Sequence, residues 1–116
     1  MEEDKTLKYL EQYHGTQQYH RLFMGNINAT DGIKYIVDNG YHWFASDVSV
    51  ILMMKLRSEE FVAITLVVNE DKKAVVTYTN GNEKVLYTQK YNYTDAKVDK
   101  ISLYFTNGVM MLSGEY

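Results

Sequence analysis

An α+β fold, with helices first and an antiparallel sheet after, is what this 116-residue sequence predicts. Two observations carry that reading. Before Ser58 apolar residues recur at helical spacing, and after it they alternate one by one. The alternating half is also punctuated by Asn80-Gly81 and Asn107-Gly108, the dipeptide that supplies the positive φ of tight hairpins. The expected architecture is three N-terminal helices within 1–58, packed on one face of a four- or five-stranded antiparallel meander over 59–116, the whole forming one domain.

Residues 5–14 read as the first helix, with Leu7 and Leu10 on one stripe, Tyr9 and Tyr13 on the next, and Gly15 as its stop. The stretch around Asn26 reads as a loop. A second helix starts near Thr30, where Thr30 or Asp31 can accept a hydrogen bond from a free N–H of the first turn. Ile33, Ile36 and Val37 form its buried stripe, and Gly40 ends it by taking positive φ. A third helix covers 43–56. On a wheel, His42, Ser46, Ser49, Met53 and Arg57 share a narrow strip, and Phe44, Val48 and Ile51 lie opposite with Trp43, Val50 and Met54 beside them. Strands follow over 61–68, 74–79 and 85–91. A longer connection over 92–99 leads to a strand with Ile101, Leu103 and Phe105, and the second Asn-Gly leads to 109–112. The bare sheet face is expected to be polar and rich in threonine and tyrosine.

Composition narrows the function. Cysteine and proline are absent, so disulfides and thiolate metal sites are excluded. Twelve basic and fifteen acidic side chains leave a net charge of −3, which argues against a nucleic-acid partner. The longest apolar stretch, 48–56, is interrupted by Ser49 and Lys55 and is too short to cross a membrane. The acidic start, Met1-Glu2-Glu3-Asp4-Lys5, lacks the apolar run of an export signal, so a cytoplasmic protein is expected. Eleven tyrosines stand out, a residue type enriched both in strands and at interfaces.

Three stretches carry a family likeness: Gly15-Thr16-Gln17-Gln18-Tyr19-His20, Thr30-Asp31-Gly32-Ile33-Lys34-Tyr35-Ile36, and Tyr41-His42-Trp43-Phe44-Ala45-Ser46-Asp47. With Asn107-Gly108-Val109-Met110-Met111-Leu112 and Glu115-Tyr116 near the end, they resemble a family of small bacterial proteins defined by a domain of unknown function, found on phages, plasmids and integrated elements. The resemblance implies a mobile-element protein and assigns no catalytic residue.

Asp47 is the sharpest candidate, a carboxylate on an apolar helix. One reading makes it a general base or ligand acting with His20 or Asp31 in a small hydrolase-like enzyme. The plainer reading, which we prefer, has it accept a hydrogen bond from a tyrosine hydroxyl, a backbone N–H or the Trp43 neighbourhood and pin the helix. His14, His20 and His42 lack metal-ligand spacing, so no metal or cofactor is expected. Thr30-Asp31-Gly32 can hold an anion at a helix start, but Asp31 repels anions, which favours capping. Tyr78, Tyr87, Tyr91 and Tyr104 lie on strands and are the candidate binding residues. The preferred expectation is a non-enzymatic protein-binding module, with an inhibitor of a host defence system such as CRISPR as one concrete version. A homodimer paired along an uncovered strand edge at 109–112 is a third reading.

Overall fold

The computed structural model describes the backbone of His20–Arg21 and residues 27–82 and 84–116. The chain runs β1 (His20–Arg21), β2 (Asn28–Ala29), α1 (Asp31–Ile36), a kinked turn (Val37–Tyr41), α2 (His42–Lys55), then β3 (Phe61–Val68), β4 (Ala74–Thr79), β5 (Val85–Tyr91), β6 (Lys100–Thr106), β7 (Val109–Leu112) and a final 3₁₀ turn (Ser113–Glu115). The expectation of three N-terminal helices is corrected. The described helical part is one kinked segment in the middle of the chain, and the expected helix over 5–14 lies outside the described residues. Gly40 makes the kink with φ of 102°, so α2 follows α1 with no intervening loop.

Among the described residues the sheet has seven strands in the order β1-β2-β7-β6-β3-β4-β5, which corrects the expected four- or five-stranded antiparallel meander. Strands β3, β4 and β5 do run as consecutive hairpins. The chain then returns across the sheet, and β6 pairs with the free side of β3, a Greek-key order. The reason lies in β3 itself. Phe-Val-Ala-Ile-Thr-Leu-Val-Val is the most apolar of the strands, and a meander would leave it at an edge with unpaired backbone groups. The 92–99 connection is built for the crossing, because Thr94, Ala96 and Val98 turn inward alternately and are buried. The second correction is that β2 pairs in parallel with β7, so the sheet is mixed. Strand β7 is therefore interior and cannot be the open edge for a second copy; among the described strands the edges are β1 and β5.

One sheet face carries the core. Val62, Ile64 and Leu66 of β3, Val76 and Tyr78 of β4, and Leu103 of β6 have no exposed surface, and they cluster with Ile33, Ile36, Phe44, Val48 and Leu52 of the helices. Each such side chain removed from water contributes about 1.5–3 kcal/mol. Helix α2 is turned from the expected orientation by roughly a quarter turn on the helical wheel. Ala45 and Ser49 face inward, and the Ser49 hydroxyl donates to the Ala45 carbonyl at 2.8 Å. These small residues let the helix lie close to its neighbours, while Val50 and Met54 face outward.

Candidate functional site

The structure gathers most of the singled-out residues at the junction of α2 and β5. Cross-strand register sets Tyr78 opposite Tyr87 and Ala74 opposite Tyr91, so all three tyrosines point to the helix-bearing face. Tyr78 is fully buried, and its hydroxyl donates to Gln89 Oε1 at 2.6 Å. Tyr91 is partly buried and donates its hydroxyl to Asp47 Oδ2 at 2.6 Å. Asp47 thus sits on the flank of α2 with a phenol as its partner. Lys55, two turns further along, holds its ammonium 5.7 Å from the centre of the Tyr87 ring.

These contacts shape the ionisation of the tyrosines. Burial is the main reason Tyr78 is held above the ordinary tyrosine range, and the nearby charges of Tyr91, Asp47 and Tyr87 add to it. Tyr91 is raised by burial, then by its hydrogen bond to Asp47 and the negative charge of that carboxylate. Both phenols stay protonated and act as donors near neutral pH. Asp47 and Tyr91 form a charge-assisted hydrogen bond that ties α2 to the edge strand.

The other candidate residues stand elsewhere. The side chain of His20 lies outside the described residues. Asp31 is in the first turn of α1, with Glu115 close by rather than Asp47. Tyr104 is on the opposite sheet face, where its ring lies 5.1 Å from Phe61 and 5.2 Å from Tyr116, and Phe61 is 5.6 Å from Tyr116. Beside this trio opens a cleft of about 770 Å³ whose walls include Arg57, Glu59, Glu60, Phe61 and Tyr116. No group of three metal-ligating side chains occurs among the described residues.

The Thr30-Asp31-Gly32 start of α1 does hold an anion, and the anion comes from the chain itself. Thr30 caps the helix by accepting from the Ile33 N–H at 3.4 Å, and it donates its own hydroxyl to Glu115 Oε1 at 2.7 Å. The Gly32 N–H donates to Glu115 Oε2 at 3.2 Å, and the Leu112 N–H donates to Oε1 at 2.9 Å. A carboxylate at a helix N-terminus also meets the positive end of the helix dipole. Glycine at 32 leaves room for this arrangement, because a Cβ there would lie 2.5 Å from Glu115 Oε1 and 2.7 Å from Leu112 Cδ1 and both side-chain ends would have to move.

Two motifs that are far apart in the sequence, Thr-Asp-Gly and Glu-Tyr, thus form one structural joint. The comparison with known families covers that same span, since residues 4–116 match the model of a family of unknown function, DUF6876. The chain belongs to the DUF6876 family. No curated protein and no solved structure matches it. Within this DUF6876 chain, two important residues escaped the sequence reading. Glu115 looked like part of a tail, and Tyr41, which accepts at its hydroxyl from the Lys97 and Val98 N–H groups at 3.3 and 3.4 Å, looked like one aromatic among many. The only signal for Glu115 was its place in the family motif.

Proposed function

We propose that this chain is a protein-binding module that docks a partner on the sheet face opposite its helices. The observation that supports this is the make-up of that face. Thr88, Thr77, Thr65 and Ser102 stand in register across β5, β4, β3 and β6. The next row along the strands is Lys90, Val75, Val67 and Lys100. A third runs through Thr79, Ala63, Tyr104 and Met111. The centre is hydroxylic and apolar without a carboxylate, and Val67 and Val75 are 48% and 37% exposed. Depletion of charge with an aromatic at hand is the signature of an interface core. Five strands at about 4.8 Å spacing give a patch on the order of 20 Å across, the scale of a protein contact rather than a small-molecule pocket.

The partner that fits presents an apolar centre and carboxylates placed to meet Lys90 and Lys100. In the mobile-element setting implied by the sequence resemblance, a component of a host defence system is the first partner to try. The test compares cross-linked capture by the wild-type chain with capture by V75E and by an M54K control on the outer side of α2. Loss of one defined captured protein with V75E, and its retention with M54K, supports the proposal. Equal capture by all three refutes it.

A second reading rests on β5, which is an edge strand of seven residues. Such an edge can pair with a second copy of itself. Light scattering decides this, because a concentration-independent monomer mass rules it out.

A further inference from the structure

We infer that the cleft between the start of α2 and the end of β5 is a binding site for an alkylammonium cation. The cleft has a volume of about 300 Å³ and is lined by Trp43, Tyr91, Tyr93, Thr94 and Asp95. It lies on the helix side of the molecule, away from the sheet face proposed above, and does not depend on that reading.

Three features make the chemistry specific. First, aromatic rings supply most of the lining. Trp43 and Tyr91 meet at 5.4 Å with their planes 75° apart, so they form a corner with two differently oriented walls, and Tyr93 is a third, 72% exposed aromatic. The face of an aromatic ring carries partial negative charge, and tryptophan attracts cations best of all. Second, the corner is held in place. Trp43 is braced from behind by Phe44 at 5.8 Å and Tyr41 at 6.5 Å, and Tyr91 is fixed by its hydrogen bond to Asp47. Third, the charge at the site is negative. Asp95 is one of the lining residues, and the carboxylate of Asp47 sits behind the Tyr91 hydroxyl.

An anion is disfavoured by this set, and a strongly hydrated metal ion would meet a lining with a single acidic residue, Asp95. A methylated ammonium suits it, because its diffuse charge and apolar methyl groups can lie against ring faces while a carboxylate balances the charge. A site this open binds a simple cation of this kind with a dissociation constant on the order of millimolar.

The chain contains one tryptophan, so its emission reports on the site directly. The experiment titrates the full chain with choline, and in parallel with 3,3-dimethylbutanol, the neutral analogue of the same shape, at constant ionic strength. Saturation transfer to the ligand methyl protons repeats the measurement independently of fluorescence. The expected result is saturable binding of choline and binding about tenfold weaker for the neutral analogue. Y93A and D95N, both at exposed positions away from the core, should each weaken choline about threefold or more. Equal binding of the charged and neutral ligands overturns the inference, as does failure of both methods to show choline saturation by about 100 mM. Unchanged affinity in both variants overturns it as well.

Discussion

Replacing Gly32 with alanine tests the joint between α1 and the last turn of the chain. In an unobstructed helix this change stabilises by about 1 kcal/mol, because glycine loses more backbone freedom on folding. Here the added methyl would lie 2.5 Å from Glu115 Oε1 and 2.8 Å from its carboxyl carbon. The Glu115 side chain must then swing out, and it forfeits hydrogen bonds from the Thr30 hydroxyl, the Gly32 N–H and the Leu112 N–H. Hydrogen bonds to a charged group contribute about 1.5–3 kcal/mol each when isolated, and partial exposure brings the three together to about 3 kcal/mol. Subtracting the gain in helix propensity leaves a net loss of about 2 kcal/mol. The mechanism has a second signature. E115A removes the same bonds without any clash, so it should cost about 2–3 kcal/mol, and adding G32A to it should then cost nothing further and stabilise by up to about 1 kcal/mol as far as the Leu112 side chain moves aside. Urea unfolding followed by Trp43 emission and by circular dichroism gives all four corners of the cycle. A stabilised G32A, or losses that simply add, would refute the account.

Two further outcomes follow from the same structure. Tyr78 and Tyr91 have folded pKa values raised above that of an unfolded tyrosine, which is near 10. Their contribution is intact below that pH and is lost above it, when the unfolded chain releases protons that the folded chain keeps, at about 1.4 kcal/mol per pH unit for each tyrosine. Y91F should therefore flatten the fall of stability between about pH 10 and 11, by less than that amount because water screens the partly exposed ring, and an unchanged slope in urea midpoints would contradict it. Y41F should cost about 1–3 kcal/mol, because it deprives the N–H groups of Lys97 and Val98 of their acceptor; a loss below about 0.5 kcal/mol in the same assay would show that the crossing does not depend on that hydroxyl.

Local features of this fold were readable from the sequence and distant pairings were not. The five long strands could be placed because alternation is a property of neighbouring residues, and Thr30 could be seen as a cap because its target, the Ile33 N–H, is three residues away. Strand order was misread because 85–91 and 101–105 look like consecutive partners. The decisive fact is that β3 is apolar enough to need a neighbour on each side. At the site, Asp47 stood out as a carboxylate on an apolar helix, but its partner lies 44 positions away among eleven tyrosines. Tyr78, Tyr87, Tyr91 and Tyr104 were grouped as binding residues on a tyrosine-rich bare face, but the first three stand on the helix-bearing side and only Tyr104 on the other, because alternation alone does not say which side the helices cover. The two-residue strands β1 and β2 carry too little pattern to be seen, and the parallel pairing of β2 with β7 depends on a chain end that is remote from it.

The embrace of Thr30 by Glu115, 85 positions downstream, sets birth order against assembly order. On the ribosome the segment that begins α1 emerges before both the lid for its first turn and the strand that flanks β2. The Phe44, Val48 and Leu52 side of α2 can settle earlier, on the consecutive hairpins of β3, β4 and β5. What waits is the other end of the helical segment, where the first turn of α1 lacks its Glu115 lid and β2 lacks its parallel neighbour until the later segments have emerged.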